Sequence, residues 1–247
     1  MLKGLWQLTW VETKVFVREP MGVFGTIGIP VVLFIVLGKM MGSSDMGVSA
    51  VDQAPFNIPI LAALMIAISA VLSLVAIITI YREGGILKRL RATPLTPVTI
   101  LSAHVVVKLG FTFISLVLLV LAGRQFFPGV LDVNMLSFGA ALLVSTLSIL
   151  SLGFVIASIV PTARFAQPIG AGLMYPMLAL SGLFFPVDSL PPVLQVLANA
   201  LPTTHAVFLM QGIWDGVGWP ALWINVVALA IIFAVCTAIS SRVFRWE

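Results

Sequence analysis

Six apolar runs dominate the chain, at about 22–41, 56–80, 98–121, 136–160, 167–186 and 220–241. Each is close to the roughly 20 residues that a helix needs to cross the hydrocarbon core of a bilayer. Few folds are open to such a chain. In hydrocarbon every backbone N–H and C=O must find a partner within the protein, so the runs are predicted to be helices. Composition agrees: 60% of residues are hydrophobic and 9% charged, with mean hydropathy +1.16, whereas a soluble domain carries about 25% charged residues. The expectation is an all-α membrane protein with six transmembrane helices. Residues 1–247 would form a single transmembrane domain, because six spans leave little room for a second unit.

Cations decide which way the spans face, since Lys and Arg accumulate in cytoplasmic loops. With both termini inside, ten cations lie in cytoplasmic segments: Lys3, Lys14, Arg18, Arg82, Lys88, Arg89, Arg91, Arg164, Arg242 and Arg245. Only Arg124 and Lys39 fall on the outer side. The formal charge of +4 therefore reads as topology charge, and no nucleic-acid partner is expected.

Residues 1–20 lack the early apolar core of a signal peptide. On a helical wheel Lys3, Gln7, Lys14 and Arg18 share one stripe, while Leu2, Leu5, Trp6 and Phe16 lie on another side. This predicts an amphipathic interfacial helix in the headgroup plane, with Trp6 and Trp10 suited to the membrane surface.

Charge is densest at residues 81–97, between the second and third runs. Arg82, Lys88, Arg89 and Arg91 stand there with Glu83. Gly84 and Gly85 are expected to break the incoming helix. Ile86, Leu87 and Leu90 recur at helical spacing, and Pro94 and Pro97 end the segment. The stretch is either a solvated loop that sets topology or a short docking helix. In the second case its apolar face, with no core to enter, meets the membrane surface or a groove on a cytoplasmic partner.

Reactive chemistry is scarce. The nine Asp and Glu residues all fall in loops or tails, and carriers driven by ion gradients usually need an interior carboxylate or histidine. Lys108 is the one charge well inside a run; its stem is expected to snorkel toward the cytoplasmic interface. His104 lies one turn earlier, and His205 reads as a capping or hydrogen-bonding residue. One cysteine and two histidines make no metal site, so no metal and no catalytic set is expected. No phosphate-binding loop is present, so the chain is expected to be no enzyme and to hold no cofactor. Uphill movement would need energy from a separate protein, which favours the docking reading of 81–97.

Ser181-Gly182-Leu183-Phe184-Phe185-Pro186 closes the fifth run. The apolar stretches 193–201 and 206–213 that follow are too short to span. They either re-enter the membrane from outside, covered by protein or water, or rest on its outer surface.

Taken together, the chain resembles the membrane subunits of ABC-2 type transporters, the bacterial exporters related to daunorubicin-resistance, polysaccharide-export and nodulation-factor permeases. Glu83 through Leu95 is similar to that family's coupling helix between spans two and three, here about 82–92. Ser181–Pro186, running into Leu190-Pro191-Pro192 and Leu201-Pro202-Thr203-Thr204, resembles its signature before outer re-entrant helices, here about 187–215. The resemblance implies an ATP-driven exporter built as a dimer, either with a second copy or with a paralogue. A cytoplasmic ABC ATPase subunit would lie under each chain, and ATP and Mg would be bound by that partner. Glu83, Gly84, Leu87, Arg89 and Leu90 would contact the ATPase, and Pro94 would fix where span three begins. Phe184 and Phe185 would stand near the outer end of the path.

Ser69 and Ser73, on the otherwise apolar second run, are further candidates for the substrate path. An uncharged interior favours a hydrophobic or amphipathic small-molecule solute, such as a drug or a lipid-like natural product, leaving through a bacterial or archaeal plasma membrane. A glycan exporter of the same family and a secondary carrier without an ATPase are the alternatives.

Overall fold

The computed structural model describes residues 2–18, 20–42, 58–86, 97–126, 134–160 and 162–243. Among them no strand occurs. Helix α1 (Leu2–Arg18) lies along α5 (Pro97–Phe126). It buries a narrow stripe, Glu12 and Phe16, and leaves Trp6, Trp10 and Lys14 exposed. Phe16 meets Phe111 of α5 at 4.3 Å between ring centroids.

The first apolar run is one helical path broken in register: α2 (Pro20–Val23), a π-turn (Phe24–Gly28) and α3 (Ile29–Gly42). Pro30 explains the break. It has no N–H for the carbonyl of Thr26 one turn earlier, and a wider turn absorbs the missing bond. Ile29 N–H reaches back to the Phe24 carbonyl instead, and Ser115 donates to the Thr26 carbonyl at 3.5 Å.

The centre of the molecule is α4 (Ile58–Glu83), packed on α5, α6 (Met135–Ile159) and α7 (Ala163–Ala179). Leu64, Leu74, Leu142, Ile149 and Met210 belong to one buried core that joins α4, α6 and α9 (Pro202–Trp214). The α4 helix stops where expected: Gly85 takes φ +66°, which ends the run without a Cβ penalty. Asn134 opens α6 by accepting from the N–H groups of Leu136 and Ser137, both at 3.2 Å.

The fifth expected span differs in extent. The run expected at 167–186 is a 17-residue helix over Ala163–Ala179, carrying Pro168 and Pro176. It ends early because Gly182, at φ +86°, turns the chain away, so Phe184 and Phe185 are not helical. Among the described residues, four stretches are long and apolar enough to cross a bilayer: Leu64–Glu83, Ser102–Phe126, Met135–Ile159 and Trp219–Val243. The pair α8 (Pro192–Asn199) and α9, bent by 77°, makes a fifth if taken as one broken span. Within it α8 is largely exposed, with Val193 and Val196 outward, whereas α9 is buried against α6 and α10 (Trp223–Val243). Leu87, Arg89, Leu90 and Pro94 of the expected coupling helix lie outside the described residues; Glu83 and Gly84 are described.

Candidate functional site

A cleft of about 240 Å³ opens between the π-turn, α4 and α7. Thr26 and Ile29 line one side, Ser69, Leu72, Ser73, Ile77 and Ile80 another, and Gln167 and Tyr175 the third. The helices frame it for local reasons. Ser69 and Ser73 stand four apart on α4 and so face the same way. Gly170 lets α7 approach α4, since a Cβ there would lie 2.9 Å from Leu72 Cδ2. A Cβ at Gly25 would meet nothing within 4 Å, so that residue leaves its wall open. The lining is neutral: hydroxyls and one amide set on an aliphatic floor.

Behind Ser73 lies a buried polar cluster that joins three helices. Lys108 Nζ of α5 donates to Ser73 Oγ of α4 and sits 4.1 Å from the centre of the Phe16 ring of α1. Tyr81 donates its hydroxyl to Glu12 Oε2 at 3.1 Å, and His104 Nδ1 is 3.5 Å from the same oxygen. Glu12, His104 and Lys108 are each no more than 3% exposed. Burial pushes the Glu12 carboxyl up to about 7, against the Tyr81 hydrogen bond and the Lys108 charge, which both pull it down. Lys108 therefore does not snorkel. A hydroxyl, an aromatic face and an acid hold it inside, as a buried ammonium requires. Glu12 lies in α1, outside the apolar runs as expected, yet it is buried against α4 and α5. The wheel carried the signal, since Glu12 falls on the Phe16 side, away from Lys3, Lys14 and Arg18.

At the far end of α4, Arg82 donates to the carbonyls of Ala157, at 3.2 Å, and of Val160. Glu83 Oε1 accepts from the N–H of Ala163 at 2.9 Å. The carboxylate expected to face an ATPase is thus engaged with the first residue of α7.

The structure gathers Ser69 and Ser73 with Thr26, Gln167 and Tyr175, which sequence reasoning did not single out for the path. It does not bring Phe184 or Phe185 there: Phe184 packs on the main core and Phe185 is 64% exposed. His205 has the hydrogen-bonding role expected of it, meeting Asn225 Oδ1 and the Asn199 carbonyl at 3.0 Å each. Among the described residues no three His, Cys, Asp or Glu come together as a metal-binding group.

A sequence profile for the ABC-2 type transporter matches residues 3–214, from α1 through α9. The chain belongs to the ABC-2 type transporter family. Over 99 residues it is 29% identical to Nodulation protein J of Neorhizobium galegae, a stretch that covers 40% of this chain and 38% of that relative. The chain thus spans well under half the length of the curated relative it matches. Membership and the apolar helices make this ABC-2 chain an integral membrane protein.

Proposed function

We propose that this permease exports an amphipathic, uncharged solute with energy from a separate ATPase that binds ATP and Mg. The observation that carries the solute class is the cleft lining, where hydroxyls and an amide would take a polar head and the aliphatic floor an apolar body. In this reading the chain crosses a bacterial or archaeal plasma membrane six times, with both termini cytoplasmic. The bent pair α8–α9 dips in from outside, and Phe184 and Phe185 line the outer end of the path. Leu87, Arg89 and Leu90 meet the ATPase, Glu83 and Gly84 open that loop, and Pro94 sets the start of α5.

The test is ATP-driven uptake of an amphipathic fluorescent dye into inverted vesicles that hold permease and ATPase. Ser69→Leu with Tyr175→Ala changes the cleft while leaving Ser73 in place for Lys108. We expect dye affinity to fall about tenfold, the equivalent of about 1.4 kcal/mol. Unchanged uptake would remove the cleft from the path.

Tyr175 beside Gln167, Ser69 and Thr26 also suits a glycan, and competition by soluble oligosaccharide would favour that substrate. One observation favours a secondary carrier: Glu12 of α1 is a carboxylate buried within the protein beside His104 and Lys108 of a candidate span. Dye uptake that persists without ATPase and collapses with the proton gradient would replace the ATP-driven reading.

A further inference from the structure

Ser73 belongs both to the cleft and to the buried polar cluster behind it. Its side chain is half-buried, and its oxygen accepts from Lys108 Nζ. A hydroxyl oxygen that accepts from an ammonium keeps its own hydrogen to donate. The cation also polarises that O–H and strengthens the bond it gives. Ser69, Gln167 and Tyr175 carry no such bias, since a hydroxyl or an amide both gives and accepts hydrogen bonds.

Charge acts in the same direction. None of the described residues lining the cleft is charged, so the field there is set from behind. Lys108 stands one hydroxyl away from the cleft and is 2% exposed. Its counter-charge does not reach the lining. Glu12 is held by Tyr81, two turns beyond Ser73 on α4, and faces His104, one turn before Lys108 on α5. Burial raises the Glu12 carboxyl to about 7, so at neutral pH it offsets only part of the Lys108 charge. A cation brought to Ser73 would lie opposite a buried ammonium, with no carboxylate in the lining to hold it. An oxygen acceptor would instead complete the chain that runs from Lys108 through Ser73.

We infer that Lys108, acting through Ser73, is a positioning residue that sets the specificity of the cleft. It admits a solute whose polar head is an uncharged oxygen acceptor, such as a ketone, ester or ether, and turns away a cationic head. The inference rests on the cleft being the solute site, as proposed above, and names the head group which that reading leaves open.

The experiment measures binding of three probes to the full chain in nanodiscs at neutral pH. They share one dansyl-alkyl body and end in a methyl ketone, a tert-butyl group or a trimethylammonium. Binding to the cleft is the part lost with Ser69→Leu and Tyr175→Ala. The ketone is expected to bind about tenfold more tightly than the tert-butyl probe, the size of a hydrogen bond backed by a charge. The ammonium is expected to bind more weakly than either. Ser73→Asn, whose carbonyl accepts from Lys108 while its amide still donates, is expected to keep that order. Ser73→Asp, which pairs with Lys108 and turns a carboxylate to the cleft, is expected to reverse it in favour of the ammonium. Lys108→Gln, which keeps a donor for Ser73 but no charge, is expected to bring the ammonium up to the tert-butyl probe. Simple destabilisation weakens all three probes alike and cannot reverse their order. Equal binding of ketone and ammonium by the unaltered chain would overturn the inference while the cleft keeps its role. So would Ser73→Asp and Lys108→Gln chains that still bind the probes but keep the unaltered order. If no probe loses binding with Ser69→Leu and Tyr175→Ala, the cleft is not the solute site, and the inference falls with that reading.

Discussion

At the scale of single residues, Glu12 carries most of the interior electrostatics. Its carboxyl is held by a neutral phenol, Tyr81 of α4, and faces His104 and Lys108 of α5. Burial outweighs these partners and raises the group from 4.5 to about 7. The sign follows directly. A raised value means that the docked helix disfavours the charged form, so docking of α1 is strongest below the ordinary value and weakens as pH rises through about 7. Tryptic cutting at the exposed Lys14 and Arg18, in nanodiscs, reads that docking. Cutting is expected to be faster at about pH 8 than at about pH 6 in the unaltered chain. Glu12→Gln keeps an acceptor for Tyr81 and does not titrate, so it serves as the internal standard for the protease at each pH. If both chains show the same pH profile, Glu12 is not the group that loosens the helix. Lys108 gives a second residue-scale expectation. Lys108→Ala removes the donor to Ser73 and the cation over Phe16, and leaves Glu12 buried without its compensating charge. Loss of one member of such a buried set costs on the order of 3 kcal/mol, measurable as a lower melting temperature. Lys108→Arg, whose planar head does not fit the same contacts, should restore little of it.

At the scale of elements, the chain's breaks matter as much as its helices. Gly182 stands at φ +86°, with Val187 Cγ2 3.1 Å from where a Cβ would be. Gly182→Ala is therefore expected to destabilise the α7–α8 connection by about 1–2 kcal/mol, visible as a lower melting temperature in detergent. A melting temperature equal to that of the unaltered chain would mean that the connection relaxes into another turn. This break also explains the displaced fifth run. Hydropathy counts Leu183, Phe184 and Phe185 as span and is blind to a left-handed glycine before them. The end of α4 was readable because Gly84-Gly85 follows a charged terminus, where chemistry and backbone agree. Within the cleft, Ser69 and Ser73 were legible as two hydroxyls four apart on an apolar helix. Thr26, Gln167 and Tyr175 were not, because they arrive from other helices, and one of them depends on a π-turn that Pro30 imposes. Glu83 was legible as important for its place beside the two glycines, but its partner Ala163 is 80 positions away and unmarked.

At the scale of the whole molecule, the cleft is too small to do its proposed work alone. Pockets that enclose drug-sized ligands run to roughly 300–1,000 Å³, and this one offers about 240 Å³ between helices of a single chain. Either the cleft widens or a second chain completes it. The surface points the same way: Trp223, Ile224, Ile231 and Val235 of α10 are all more than half exposed. Lipid can cover such a face without a partner, so the exposed helix does not itself decide the matter. A path shared by two copies or by a paralogous pair would double the lining without altering either fold, and we propose the dimer on that ground. Native mass spectrometry of the active complex from nanodiscs is expected to show two 26.4 kDa permease chains for each pair of ATPase subunits. A complex that transports dye with one permease chain would remove the shared path. Widening of the cleft within one chain would then have to supply the whole of the missing volume.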